Sequence, residues 1–178
     1  VATIFTVGHS TRSTGELLEL LGTPGVARLV DVRRHPGSRR NPQHRREALA
    51  DALAEAGLDY LWLGEGLGGR QPEILPPERS PNRAWTEPAF RRYADAMATP
   101  RFREAFARLE VRAAERPTAV MCAEKLWWRC HRRLLADLLV VRGWRVVHLL
   151  EPRRTQEHAL SAWARISSEG ELTYPALL

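Results

Sequence analysis

Residues Thr3 to Val32 read TIFTVGHSTRSTGELLELLGTPGVARLVDV, and this stretch decides the fold class. TIFTV, residues 3–7, is a short β-branched and aromatic run with the composition of a strand. Ser13-Thr14-Gly15-Glu16 then matches a capping box, in which a serine and a glutamate three residues on satisfy free amides at a helix start. Leu17, Leu18, Leu20 and Leu21 follow at helical spacing. ARLVDV, residues 27–32, is a second strand, apolar enough to be covered on both faces. Strand, short helix and strand in immediate succession form a βαβ unit, whose strands run parallel.

The alternation continues along the chain. Asn41 is positioned as N-cap with Pro42 at the first helical position, and Gly57 closes that helix. Tyr60 to Leu63 reads as a third strand. From Gly64 to Trp85 glycine and proline interrupt every pattern, which predicts a long irregular loop of the kind that often serves function. Helices are expected over Thr86–Ala98 and Thr99–Glu115, a fourth strand over Thr118–Met121, and a helix from near Trp128 to Arg142 stopped by Gly143. Cys130 then falls in the first turn of that helix. Trp144 to Leu149 gives a fifth strand, with Trp62 and Trp144 assigned to the core. The tail from Glu151 reads as a helix followed by an extended end. These elements predict one three-layer α/β domain over residues 1–178, with a core at 3–150 and a C-terminal extension at 151–178. Its mainly parallel five-stranded sheet takes the order 3-2-1-4-5, with helices on both faces.

Composition excludes several classes. Apolar residues make up 44% and charged residues 27% of 178, which disfavours disorder and fibres. Two cysteines do not make a disulfide scaffold, no run reaches membrane-span length, and the VATIFTVGHS start lacks a signal-peptide pattern. A reducing cytoplasm is the expected setting. The formal charge is +6, and of the 27 basic residues only Lys125 is lysine. Arginine presents a planar fork of donors suited to phosphate and carboxylate, so a small anionic ligand is the expected partner.

Ligands of open parallel sheets bind past the carboxyl ends of the strands. In the predicted order Gly8-His9-Ser10 after strand one faces Cys122-Ala123-Glu124 after strand four. A cysteine at that place, followed by Arg129, Cys130, His131 and Arg132, sits in a field that favours thiolate. Sulfur transferases and cysteine phosphatases use such a loop, although Cys122 to Arg129 is one residue longer than C-x5-R and lacks its glycines. The bland alternative is a small buried residue ending a strand. Cys122, Cys130 and His131, with His9 and His148, could also gather a metal, but C-x7-C-H matches no common zinc spacing. The two cysteines could equally form a redox disulfide.

Six arginines fall between positions 33 and 46, in a loop that holds Arg33, Gly37, Ser38 and Arg39. This is an anion cradle or a solvated basic loop; it would also attract nucleic acid, yet no base-reading motif accompanies it. Asp31 is better suited to hold Arg33 or a backbone amide than to act as a base. His9 or Ser10 could donate to a phosphate or move a proton, against the alternative of structural hydrogen bonding. Gly64-Glu65-Gly66 and Gly68-Gly69-Arg70 do not open a helix promptly, and no phosphate-loop lysine is present. Trp127 and Trp128 could cover the thiol loop, stack on a base, or simply pack.

Taken together, TVGHSTRS, LVDVRRHPGSRRNPQ, LGGR and AVMCAEKLWWRCHRRLLADLLVVRGWRVVHL resemble the domain-of-unknown-function family 488, in order from Thr6 to about Leu149. The family pattern falls on Gly8-His9-Ser10, Asp31-Val32-Arg33, Pro36-Gly37-Ser38, Asn41-Pro42, Gly68-Gly69-Arg70, Cys122-Ala123-Glu124 and Cys130-His131-Arg132. Trp127-Trp128 stands where that pattern leads one to expect proline and tryptophan. The resemblance implies a compact α/β fold in bacterial and archaeal cytoplasm and supplies no activity.

The residues themselves support three functional readings. The first is an enzyme for a small anionic, phosphorylated or nucleotide-like substrate. Cys122, Glu124 and His9 are then catalytic, and Gly8, Ser10, Arg33, Gly37, Ser38, Arg39, Arg70, Arg129, His131 and Arg132 hold the anion. The second is a non-catalytic nucleic-acid or nucleotide-binding module built on the arginine loop. The third is a Cys/His metal protein. Cofactor and oligomeric state have no signature in the sequence.

Overall fold

A computed structural model describes residues 1–177; the last residue of the predicted 151–178 extension lies outside the described residues. The elements in chain order are β1 (Thr3–Gly8), α1 (Thr14–Gly22), β2 (Arg28–Asp31), α2 (Arg46–Glu55), β3 (Asp59–Trp62), α3 (Gly64–Leu67), α4 (Pro88–Ala96), α5 (Pro100–Glu115), β4 (Thr118–Cys122), α6 (Arg132–Val141), β5 (Arg145–Glu151), β6 (Arg154–Glu157), β7 (Arg165–Ile166) and β8 (Leu172–Thr173). The Ser13–Glu16 capping box is present at the start of α1, and the Thr99 side chain caps α5 by accepting from the Phe102 amide. Gly57 and Gly143 stand just past α2 and α6 at φ 78° and 91°, the left-handed conformation that ends a helix.

The fold is α/β with a mainly parallel central sheet. That sheet has six strands, not five, in the order β3-β2-β4-β1-β5-β6, with β6 antiparallel. The predicted order placed β1 beside β2; instead β4 lies between them. Every residue of β4 is buried, whereas Thr3 and Phe5 of β1 are only half-buried. The most apolar strand therefore takes the most enclosed position. Successive residues of the buried strands face opposite sides. Leu29, Ala119 and Met121 pack with Leu17, Leu21, Leu49 and Leu53 under α1 and α2. Val30, Val120 and Cys122 pack with Tyr93, Phe102, Leu109 and Leu135 under α4, α5 and α6.

Several local expectations are corrected. The predicted helix after Glu151 is absent: Pro152 and Arg153, at φ 64°, turn the chain back into β6, and β7 and β8 form a small hairpin. The polar run RTQE has no apolar face for a helix to bury. Pro42–His44 forms one 3-10 turn that Arg45 interrupts before α2 begins. The glycines at 64 and 66 do open a helix at once, the single turn α3. Trp127–Arg129 is a separate 3-10 turn, and Cys130 is extended, ahead of α6 rather than within it. Trp62 and Trp144 are half-buried and not fully in the core, and their indole N–H groups donate to the Arg33 carbonyl and to Glu110 respectively.

Candidate functional site

Gly8 lies opposite Cys122 in the sheet, so β1 and β4 end at one level. The chain beyond them continues the pairing: the His9 and Ser10 amides donate to the carbonyls of Cys122 and Ala123 at 3.0 Å. Such closeness requires glycine at position 8, where a Cβ would fall 1.9 Å from the Glu124 carbonyl oxygen. Beside this junction opens a cleft of about 590 Å³, lined by segments after β2, β3 and β4 and by the start of α4. Arg34, Arg70, Arg129, Cys122, Cys130 and His131 are among its lining, with Arg33, Gly37 and Glu124. Arg34 Nη1 is buried there without a hydrogen-bond partner, among the described residues.

At the cleft two free sulfurs approach to 2.9 Å, Cys122 from the end of β4 and Cys130 from the residue pair ahead of α6. Arg132, 1% exposed, donates from Nε to Cys122 Sγ at 2.9 Å and from Nη1 to Thr6 Oγ1 at 3.1 Å. Its Nη2 serves the Glu124 and Lys125 carbonyls. Burial pushes both thiols up. At Cys130 the bond from the Cys122 thiol, the Arg132 charge and the Arg132 backbone amide outweigh burial and bring it down to about 7. Cys122 stays well above the ordinary thiol range, because of burial and its bond to Cys130. Above about pH 7 the pair thus holds one proton between two sulfurs, with one negative charge beside Arg132. His131 Nδ1 lies 3.4 Å from Cys130 Sγ. Burial keeps this imidazole's pKa low despite the Cys122 sulfur nearby, and Gly69 passes so close that a Cβ would sit 3.0 Å from Nδ1.

The remaining predicted residues lie elsewhere. Arg33 is bound to Asp31 through Nε at 2.9 Å and Nη2 at 2.6 Å, and its Nη1 donates to the His44 carbonyl. Although Arg33 lines the cleft, its guanidinium is committed. His9 lies 3.2 Å from Arg33 and packs against the His44 ring at a 34° tilt; its Nδ1 meets the Ser10 carbonyl, and burial holds its pKa at about 4. It is not brought to the cleft lining, nor are Ser10, Ser38 and Arg39. Ser10 adopts φ 49° in the turn, and Ser38 Oγ accepts from the Asn41 amide. Arg39 is exposed. Among the described residues no three His, Cys, Asp or Glu side chains converge as a metal site.

Sequence reasoning missed a second layer. Thr6 Oγ1 lies 2.6 Å from His148 Nδ1, His148 Nε2 lies 2.9 Å from His158 Nδ1, and His158 Nε2 lies 2.8 Å from Asp137 Oδ1. Tyr174 donates to Asp137 Oδ2 at 2.8 Å. Trp127 stacks on His148 at 4.3 Å and 4°. A buried chain of polar contacts therefore runs from the sulfurs through Arg132 to one carboxylate. The available signal was Thr6 pointing to the same face as Ile4 on β1, a polar residue where the strand's alternation calls for an apolar one.

A family model described as "Domain of unknown function DUF488" matches residues 13–139. No curated protein and no solved structure matches the chain. No helix among the described residues is long and apolar enough to cross a membrane.

Proposed function

The chain belongs to the DUF488 domain family, and from that premise we propose that it is an enzyme acting on a small anionic substrate at the Cys122–Cys130 sulfurs. One observation carries this reading: two sulfurs 2.9 Å apart, that of Cys130 with its pKa lowered to about 7, open onto a cleft whose lining holds Arg34, Arg70 and Arg129. The cleft's volume lies in the range that encloses nucleotide-sized molecules. Arg70 and Arg129 receive the anion, joined by the unpartnered Nη1 of Arg34. The reactive sulfur is the one freed of its proton, with Arg132 holding the charge. Glu124 and His131, at the cleft, handle protons; His9, committed to Ser10 and Arg33, orients the turn instead.

The test is the rate of iodoacetamide alkylation at each cysteine across the neutral range, resolved by peptide mass mapping, with and without inorganic phosphate. A midpoint near 7 at Cys130 and slowing by phosphate are expected. Thiols inert until denaturant is added would overturn the proposal.

A second reading rests on a different feature. Arg39, Arg40, Arg45 and Arg46 are all exposed along one loop and helix start, a basic surface that nucleic acid would neutralise. It predicts nucleic-acid affinity that falls steeply with salt and ignores alkylation of the thiols.

A further inference from the structure

Cys122 and Cys130 are unlike in setting. Cys122 closes a strand paired on both sides, whereas Cys130 sits in extended backbone between a 3-10 turn and α6. One sulfur is fixed by the sheet, and the other belongs to a short irregular segment able to yield the small distance between 2.9 Å and a covalent sulfur–sulfur bond. The pair holds one proton, so it offers an attacking thiolate and a resolving thiol at once. The cleft that reaches them is lined by arginine.

We infer that Cys122 and Cys130 form a two-electron dithiol–disulfide couple whose oxidising co-substrate is a small anionic disulfide, an inference that rests on the proposed anion cleft. The Cys130 thiolate attacks one sulfur of the co-substrate, forming a mixed disulfide and releasing the other half as thiolate. The Cys122 sulfur then attacks Cys130, closing the internal disulfide and expelling the second half, which takes the Cys122 proton. The co-substrate gains two electrons, the protein loses two, and each half leaves as thiol or thiolate. Arg132 weights this couple toward the reduced form: it bonds through Cys122 to a pair that carries one negative charge, and in the disulfide that charge is gone, so the co-substrate must be the stronger oxidant to close the bond.

The experiment mixes the whole reduced protein, without denaturant, with dithiobis-nitrobenzoate, a dianionic aromatic disulfide, and in parallel with the neutral dipyridyl disulfide. Wild type is expected to release two aromatic thiolates per chain and to end lighter by two hydrogens, with no retained adduct. Cys122→Ser is expected to release one and keep the aromatic group on Cys130; Cys130→Ser is expected to react about tenfold more slowly, having lost the ionised sulfur. A wild-type chain that keeps the aromatic group, or that does not react while folded, overturns the couple. Arg70→Ala and Arg129→Ala separate the two claims. They should slow the dianionic reagent about tenfold more than the neutral one. A pair that closes equally fast with both reagents retains the couple and defeats the anion cleft. A charge preference with a retained adduct does the reverse.

Discussion

Arg132 donates from Nε to Cys122 Sγ at 2.9 Å, and its other partners are a hydroxyl and two backbone carbonyls. No carboxylate is among them. A guanidinium removed from water in this way requires a compensating charge, and the sulfur pair supplies it. The relation is reciprocal: Arg132 bonds to Cys122 and its charge favours the Cys130 thiolate, and the charge on the pair makes burial of Arg132 tolerable. Arg132→Met is expected to move the alkylation midpoint of Cys130 from about 7 back toward 9.0 or above. Its reaction at neutral pH should slow about tenfold or more. Arg132→Lys, which keeps the charge and loses the planar fork, should fall between. An unchanged midpoint in the folded Met variant would show that the charge comes from elsewhere.

Stability should rise with pH over two separate windows, an acidic one set by the histidines and an alkaline one set by Cys130. Burial lowers His9 to about 4 from an ordinary 6.5, and it also lowers His44, His131 and His148. These rings are neutral when folded and take up protons when unfolded. Their contribution is complete above 6.5 and is lost as pH falls from there through the folded value, by about 1.4 kcal/mol per pH unit for each ring. Cys130 is an acid with a lowered pKa, so its contribution appears only as pH rises from about 7 toward 9.0. Urea midpoints should therefore drop steeply on acidification below 6.5. A midpoint that holds level from 6.5 to 4 would mean that these rings stay accessible to protons in the folded chain.

The parts of this architecture written in local patterns were legible in the sequence. Ser13 and Glu16 specify the start of α1 between themselves, and Gly57 and Gly143 supply the left-handed residue that ends a helix. The meeting of Gly8 with Cys122 was legible too, because the predicted and observed orders both place β1 beside β4. The position of β4 between β1 and β2 was not, since strand order depends on which surface is buried most and not on chain succession. Arg33 and Arg132 divide at the site: Asp31, two residues away, holds Arg33 as the sequence led one to expect, whereas the direct bond from Arg132 to Cys122, ten residues back, depends on tertiary placement. His148 on β5, Asp137 on α6 and His158 just past β6 are spread along the chain, and no spacing links them.

Gly8 and Gly69 offer contrasting substitutions. A Cβ on Gly8 would lie 1.9 Å from the Glu124 carbonyl oxygen and 2.9 Å from Lys125 Cα, both rigid backbone. Gly8→Ala must separate β1 from the 122–125 segment, at a cost of about 3 kcal/mol, read as a lower urea midpoint. A Cβ on Gly69 would lie 3.0 Å from the His131 ring, a side chain able to give way. Gly69→Ala should therefore leave stability within about 1 kcal/mol of wild type, while the displaced imidazole changes the alkylation rate of Cys130. Equal stability losses in the two variants would refute the distinction between backbone and side-chain contact.

Asp137 is the carboxylate at which the buried chain from Arg132 ends. It accepts from His158 and the Ser161 amide on one oxygen and from Tyr174 on the other. An amide in its place turns a donor group toward partners that are themselves donors, and removes the one negative charge that the relay presents to Arg132. Asp137→Asn is expected to cost about 3 kcal/mol of stability. Losing a negative charge behind Arg132 leaves more of the guanidinium's field for the sulfurs, so the alkylation midpoint should move below 7. Tyr174→Phe removes a donor and leaves the carboxylate in place. It should cost about 1 kcal/mol and leave the midpoint where it was. Urea denaturation and alkylation profiles on the two variants separate the roles: if Asp137→Asn weakens the fold without moving the midpoint, the chain through Thr6, His148 and His158 is packing alone and carries no charge to the thiols.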